Sequence, residues 1–168
     1  MDVKMAFLNG KLEEEIYMKQ LTRFDDGSGK VCKLKRAIYG LKQAGNAWNK
    51  EWNKAMEDLG YRRLKTDYCC YVRRDGDDFT IILIWVDNLI SFAKNASVNA
   101  KVECKLKTKF EINVIGEPSM LLGMKITRNY NKGTIILSQT HYINVMLSKF
   151  GMSDANPIST LLDLNLIK

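Results

Sequence analysis

The feature that most constrains the fold is an apolar stretch at residues 79–92 with two polar residues inside it. The halves at 79–85 and 89–92 are rich in β-branched and aromatic residues, and both are too short to span a membrane. Between them, Asp87 and Asn88 tolerate positive φ and can hydrogen-bond nearby backbone. We therefore predict a buried β-hairpin with Asp87 and Asn88 as its turn.

The carboxylate of Asp87 is a candidate functional group because of its place at the tip of this hairpin. A charge on a stiff, water-poor hairpin is costly unless a cation or a hydrogen-bond network compensates it. The alternative is that Asp87 is only a turn residue whose carboxylate points into solvent. Taken alone, the hairpin favours this simpler interpretation.

Length and charge limit the class of protein and its partners. At 168 residues, of which 46% are hydrophobic, the chain is long enough for one domain with a buried core, or for one compact domain with an appended lobe. It carries 26 Lys and Arg against 19 Asp and Glu, a formal charge of +7. Such a charge indicates a polyanionic partner, most commonly nucleic acid. Solvated lysines on an ordinary basic protein would give the same balance.

The cysteine and histidine pattern excludes two common kinds of site. Cys32, Cys69, Cys70 and Cys104 show no Cys-x-x-Cys spacing, and His141 is the single histidine. We predict reduced thiols in an intracellular compartment, with neither a disulfide framework nor a zinc site. No signal peptide or transmembrane run is visible, so no membrane partner is predicted.

Hydrophobic periodicity in the rest of the chain predicts an α+β protein. Apolar stripes predict helices at 44–59, from a cap at Ser97, and from about Gln139. A second hairpin is predicted at 121–137. Because sequential strands usually pair antiparallel, we expect an antiparallel sheet with helices on one face.

The helix at 44–59 carries two tryptophans with two interpretations. Trp48 and Trp52 lie on one stripe with Met56. Both indoles could stack on nucleic-acid bases. Their position on an apolar stripe favours core packing instead.

Two carboxylates far apart in sequence form a candidate metal site. Asp2 and Asp87 each lie beside apolar, strand-like residues of what should be one sheet. If their strands are neighbours, the carboxylates converge at one end of the sheet. Oxygen donors of this kind suit Mg²⁺, and two such ions can activate an attacking hydroxyl and stabilise a leaving group.

Six segments, in order and at matching spacing, closely resemble the reverse transcriptase of copia-type retrotransposons. These segments are 2–10, 12–18, 39–44, 85–87, 122–126 and 137–139. The similarity runs from residue 1 to about 160, which implies a partial reverse transcriptase domain over 1–160 and a divergent tail at 161–168.

The resemblance implies a fold and a reaction. The fold is a polymerase palm-like antiparallel sheet with helices on one face, part of the fingers before it and the start of the thumb after it. The reaction is RNA-directed DNA synthesis, in which deoxynucleotides are added to a primer 3′-hydroxyl with two Mg²⁺ or Mn²⁺ ions. The implied partners are an RNA or DNA template with its primer and deoxynucleoside triphosphates. The parent element is expected inside cells, in a cytoplasmic virus-like particle or the nucleus.

The resemblance also implies roles for individual residues. Asp2 and Asp87 match the catalytic aspartates that hold the two metals, and Asn88 takes the place of the second turn aspartate. Val3, Phe7 and Gln43 match the nucleotide site, where Phe7 is the aromatic gate that disfavours a ribose 2′-hydroxyl; core packing is the alternative for Phe7. The hairpin that grips the primer end is matched by Leu122, Gly123, Met124 and Lys125, with core packing as the alternative for Met124.

Departures from the family pattern predict weak or absent activity. Asn88 lacks the charge of the second aspartate, Trp85 replaces a tyrosine, and Gly-Asn at 45–46 replaces Pro-Arg. Leu-Thr-Arg at 21–23 replaces Pro-Glu-Gly, and the upstream fingers segment and the ribonuclease H portion are expected only in the parent polyprotein. A non-catalytic nucleic-acid-binding module and a decayed transposon remnant are the alternatives.

Overall fold

Eleven strands, three α-helices and one 3₁₀ helix build residues 1–157, which are the residues that a computed structural model describes. The chain divides into two units, Met1–Ile115 and Gly116–Lys168. The predicted tail at 161–168 lies outside the described residues. None of the helices within 1–157 is long and apolar enough to cross a membrane.

The first unit contains eight strands, two α-helices and the 3₁₀ helix. Its elements are β1 (Asp2–Val3), a 3₁₀ helix (Ala6–Asn9), β2 (Tyr17–Lys19), β3 (Val31–Lys33), α1 (Ala44–Asp58), β4 (Arg62–Arg63), β5 (Cys70–Asp75), β6 (Asp78–Trp85), β7 (Asn88–Ala93), α2 (Ala96–Lys107) and β8 (Ile112–Asn113). Six strands form one sheet in the order β4-β5-β6-β7-β1-β8, and all neighbours pair antiparallel. The predicted α+β class is confirmed.

Helices cover one face of this sheet, because the central strand alternates in burial. In β6, Thr80, Ile82 and Ile84 are buried, whereas Phe79 and Trp85 at its two ends are exposed. The buried face packs on α1 and α2 in one core cluster, to which the helices contribute Trp48, Trp52, Ala55, Met56, Val102 and Leu106. We call the other side of the sheet, which carries Phe79, Ile81, Leu83 and Trp85 of β6, the open face.

The helices follow the predicted stripes with one change of cap. α1 ends one residue before the predicted limit, and Trp48 and Trp52 are buried as core packing requires. The predicted cap of α2 at Ser97 is wrong. Asn95 caps the helix, because its side-chain oxygen accepts a 3.0 Å hydrogen bond from the Val98 amide.

Over residues 116–157, the second unit is a three-stranded sheet with one helix. It contains β9 (Met120–Leu121), β10 (Met124–Asn129), β11 (Thr134–Ser138) and α3 (Thr140–Lys149), and the strand order is β11-β10-β9. The predicted second hairpin is confirmed as β10 and β11, and the predicted last helix begins within one residue of its expected start.

A close contact between the 3₁₀ helix and α1 requires glycine at residue 10. A Cβ added to Gly10 would lie 2.8 Å from the Trp48 amide nitrogen and 2.9 Å from the Ala47 carbonyl carbon. Real side chains do not approach backbone this closely, so a larger residue would force the two elements apart.

We expect Gly10→Ala to lower the free energy of unfolding by about 1–3 kcal/mol, the usual cost of overpacking. The matched control is Gly45→Ala, because Gly45 lies in α1 with open space around its Cβ position. The control should be neutral or raise the free energy of unfolding by up to about 1 kcal/mol through the lower entropy of the unfolded chain. Urea unfolding of both variants measures the difference, and equal effects would contradict the contact.

Candidate active site

The strand that carries Asp2 lies directly beside the strand that follows Asp87. β1 is inserted between β7 and β8, and Asp2 is paired across the strands with Asn88. The Val3 amide donates a 2.8 Å hydrogen bond to the Asp87 carbonyl, and the Leu89 amide donates a 2.9 Å bond to the Met1 carbonyl. The backbone therefore brings Asp2 next to the β6–β7 turn, although Asp2 and Asp87 are 85 positions apart in sequence.

Strand pairing also sets the direction of two of these side chains. Directly opposed residues of an antiparallel pair project to the same face. Asn88 is opposed to Trp85 on one side and to Asp2 on the other, so Asp2 and Asn88 both project from the open face. Burial lowers the pKa of the Met1 amino group beside them, and the Asp2 and Glu103 carboxylates oppose that shift.

The turn that carries Asp87 differs by one residue from the prediction. Because Trp85 pairs with Asn88, the two turn residues are Val86 and Asp87, and Asn88 is the first residue of β7. Val86 has φ 57°, in the left-handed region that a β-branched residue rarely enters. Positive φ at only the first central residue is typical of a type II′ turn.

The buried indole of Trp48 is hydrogen-bonded to this turn from the core side of the sheet. The Trp48 Nε1–H group donates a 2.7 Å hydrogen bond to the Val86 carbonyl. Trp48 is 3% exposed and packs edge-on against the Phe110 ring at 5.1 Å between ring centroids. The sequence predicted its packing but not its hydrogen bond, because the bond depends on where the turn residues lie.

The donor set at the turn consists of two carboxylates and one amide. Asn88 Nδ2 donates a 3.1 Å hydrogen bond to Asp87 Oδ1. An aspartate at position 88 would instead bring another negative charge. Carboxylate and amide oxygens are the hard donors that Mg²⁺ prefers. The residues present therefore fit a divalent cation chemically. Across residues 1–157, no three His, Cys, Asp or Glu side chains are grouped closely enough to hold a metal ion.

Val3 and Phe7, two of the residues predicted to contact the nucleotide, follow Asp2 closely. Val3 is 1% exposed and its side chain belongs to the core. Phe7 is half-buried in the 3₁₀ helix, and its ring lies 4.8 Å from that of Tyr39. The Asn9 side chain donates a 3.2 Å bond to the Met5 carbonyl and stabilises this short helix. Their predicted contacts with a nucleotide stay predictions.

The other predicted nucleotide residue, Gln43, lies at the start of α1. It occupies the N-cap position without a side-chain capping bond, and its carbonyl accepts a 3.0 Å hydrogen bond from the Ala47 amide. The half-buried side chain is therefore not used to cap the helix. Its predicted contact with the nucleotide also stays a prediction.

The predicted primer-binding residues form a tight turn in the second unit. Leu121 pairs with Met124, which leaves Leu122 and Gly123 as the turn, with φ 47° and 78°. Positive φ at both positions is typical of a type I′ turn. The Leu122 side chain is exposed, as is Lys125 in β10. Their role toward a primer stays a prediction.

Comparisons with known proteins identify the family. The family model described as reverse transcriptase (RNA-dependent DNA polymerase) matches residues 1–163. The retrovirus-related Pol polyprotein from transposon TNT 1-94 of Nicotiana tabacum is 39% identical over 163 residues, which are 95% of this chain and 12% of that protein. The corresponding polyprotein from transposon RE1 of Arabidopsis thaliana is 30% identical over 162 residues, 95% of this chain and 11% of that protein.

A shorter relative comes from yeast. The putative transposon Ty5-1 protein of Saccharomyces cerevisiae is 32% identical over 145 residues, which are 85% of this chain and 47% of that protein. The chain thus spans between about a tenth and about half of the length of these relatives. No solved structure matches the chain.

The family match covers almost the whole chain, and the relatives are Pol polyproteins and proteins of copia-type transposons. The chain belongs to the reverse transcriptase (RNA-dependent DNA polymerase) family, in its copia-type branch.

Proposed function

We propose that this chain carries the catalytic metal site of a copia-type reverse transcriptase, with Asp2 and Asp87 as the metal-binding carboxylates. The observation that supports this most directly is the pairing of Asp2 with Asn88, beside the turn that holds Asp87. The reaction of the parent polyprotein is the addition of a deoxynucleotide from its triphosphate to the 3′-hydroxyl of a primer on an RNA or DNA template. The parent element acts inside the cell, in virus-like particles or the nucleus.

Each predicted site residue has a distinct role in this proposal. Divalent cations, when bound, would activate the primer hydroxyl and stabilise the leaving pyrophosphate. Asp2 presents its oxygens from β1 and Asp87 from the adjoining β6–β7 turn. The half-buried Phe7, whose ring packs on Tyr39, would act as the gate that disfavours a ribose 2′-hydroxyl. In the second unit, the two-residue turn of Leu122 and Gly123, followed by Met124 and Lys125 of β10, would supply a contact for the primer end.

We further propose that nucleotidyl transfer by this chain alone is weak or absent. Asn88 removes one negative charge from the donor set, and its amide already donates to Asp87. Positioning of the reactants supplies most of the catalysis in phosphoryl transfer. This chain covers 12% of the tobacco relative, and further parts of such a polyprotein would contribute to that positioning.

Metal binding tests the proposed carboxylates without requiring activity. Asp87→Asn should weaken Mn²⁺ binding by more than about tenfold, because a ligand charge is lost. The matched control is Asp77→Asn, since Asp77 is the second residue of the two-residue turn at the opposite end of β6. Mn²⁺ titration followed by electron paramagnetic resonance measures both affinities.

Two outcomes of this titration would count against the metal site. Wild-type protein that binds no Mn²⁺ at millimolar concentration would remove the basis for the proposed mechanism. Equal loss of affinity in the Asp87→Asn and Asp77→Asn variants would show general electrostatic attraction instead of a defined site.

Primer extension tests the role of Asn88. The wild-type chain should extend a primer near background, and Asn88→Asp should raise extension by at least about tenfold because it restores a full charge beside the metals. The assay uses a purified chain, a labelled primer on an RNA template, and Mg²⁺ or Mn²⁺. The variant Asn88→Asp with Asp87→Asn controls for a contaminating polymerase. Efficient extension by the wild type, abolished by Asp87→Asn, would overturn the proposed loss of activity.

A second candidate function, nucleic-acid binding without catalysis, is favoured by the basic side chains of the open face. Arg74 is opposed to Phe79, and Arg62 reaches the same face through its pairing with Val72, which is opposed to Ile81. Both arginines are exposed. The phosphates of a nucleic-acid strand lying along this face would meet two exposed cations among the exposed apolar side chains of Phe79 and Trp85.

Replacing both Arg62 and Arg74 by Ala should weaken primer–template binding and reduce its salt dependence by about two released counterions. The matched control replaces Lys101 and Lys105, which are exposed on α2 on the other side of the sheet, and should change little. Fluorescence anisotropy at several salt concentrations gives both slopes. Binding that does not depend on salt would contradict this function.

A further inference from the structure

The β6–β7 turn has a backbone conformation that its own sequence does not favour. Val86 is β-branched and has φ 57°, where its side chain is crowded by its own backbone. Such a residue keeps this conformation only when surrounding groups determine it more strongly than local sterics do. Asp87 follows directly, so the direction of its carboxylate depends on whatever fixes Val86.

The group in place to fix Val86 is the indole of Trp48. An indole N–H group can only donate, and this one donates to the Val86 carbonyl at 2.7 Å. The ring is 3% exposed and is held by Trp52 at 5.7 Å and Phe110 at 5.1 Å between ring centroids. A donor on a ring that cannot move specifies the position of its acceptor.

The backbone of Trp48 also contacts the segment that follows Asp2. A Cβ at Gly10 would lie 2.8 Å from the Trp48 amide nitrogen, so the end of the 3₁₀ helix rests on the backbone of α1 at this residue. One residue of α1 thus contacts the chain after Asp2 with its backbone and the chain before Asp87 with its side chain.

We propose that Trp48 is a positioning residue that holds the strained β6–β7 turn, and with it Asp87, through the hydrogen bond from Nε1 to the Val86 carbonyl. The link to metal binding rests on the proposed function of Asp87. The effect of Trp48 on the conformation of the turn does not depend on the proposed function, because it follows from the hydrogen bond and the backbone conformation alone.

The first experiment removes the N–H group and compares two tryptophans of the same helix. Trp48→Phe loses the bond to Val86. Trp52→Phe is the matched control, because Trp52 is fully buried and its Nε1 has no hydrogen-bond partner among the described residues. Hydrogen exchange is measured at the Val3 amide, which donates to the Asp87 carbonyl and so reports on the turn.

The quantity compared is the ratio of the exchange rate of the Val3 amide to the rate of global unfolding. This ratio should rise about tenfold in Trp48→Phe and should not change in Trp52→Phe. Replacing Trp48 with 3-benzothienylalanine keeps the fused ring and substitutes sulfur for the N–H group. This variant gives the same test if the phenylalanine variant does not fold. Exchange ratios that match the Trp52→Phe control would overturn the proposal.

The second experiment asks whether Trp48 acts through the strain at Val86. Glycine adopts positive φ without steric cost, so in a Val86→Gly background Trp48→Phe should accelerate exchange at Val3 by less than about threefold. A purely structural role of Trp48 in the core would give the full tenfold effect in both backgrounds and would overturn the proposal.

Mn²⁺ affinity separates this proposal from the proposed function. Faster exchange together with weaker Mn²⁺ binding in Trp48→Phe supports both. Faster exchange in a protein whose wild type binds no Mn²⁺ supports the positioning of the turn and contradicts the metal site.

Discussion

The pairing of β1 with β7 is the constraint on which the site depends. β1 has two residues and is hydrogen-bonded on both sides. The Val3 amide donates to the backbone carbonyl of Asp87, and the amide of Lys4, the residue that follows Val3, donates to the backbone carbonyl of Glu111. The Val3 side chain is 1% exposed in the core, so Asp2 must project from the opposite face. A slip of one residue would bury the Asp2 carboxylate and expose the valine, which burial energetics strongly disfavour. Hydrophobic burial of one residue therefore fixes the direction of its charged neighbour.

A packed aromatic cluster on the helix side of the sheet supports the strained β6–β7 turn. The Trp52 and Phe110 rings stack at 5.4 Å between centroids, and the Trp48 ring packs against both. The aromatic cluster anchors a hydrogen-bond donor beneath Val86. Because close-packed interiors deform little, a strained conformation supported this way can be maintained at the surface of the sheet. The core thus serves both stability and the geometry of the turn.

The sequence was sufficient for elements that depend on a single periodicity. α1 follows its apolar stripe to within one residue, and the strands of both hairpins were found from their apolar runs. The turn of the first hairpin was misplaced by one residue because β6 is apolar on both faces: Ile82 is buried, while Ile81 is only partly so. The alternation of apolar and polar residues therefore could not show where β6 ends. The prediction relied on the preference of Asp87 and Asn88 for turns, and this preference placed the turn one residue too late.

The site was predictable only as a pair of candidate residues. The sequence offered Asp2 and Asp87 as carboxylates that converge if their strands are neighbours, and the structure meets that condition by pairing β1 with β7, the strand that follows the Asp87 turn. The hydrogen bond from Trp48 to Val86 could not be predicted, because it joins residues 38 positions apart and depends on the register of the turn. The capping role of Asn95 was missed for a smaller reason, since Ser97 is also a favourable cap residue.

Asn88 lowers the charge repulsion at the turn and also changes the set of groups that could bind a metal. Two adjacent carboxylates on one turn repel each other, and a third on the next strand adds to that repulsion unless a cation is bound. In this chain the Asn88 amide donates to Asp87 at 3.1 Å, so one potential repulsion is replaced by a hydrogen bond to a charged acceptor. The turn can therefore hold its conformation without a metal, and the same amide lowers the charge available to attract one. If Asp87 binds a metal as proposed, the substitution exchanges a negative charge beside that metal for a hydrogen bond within the protein.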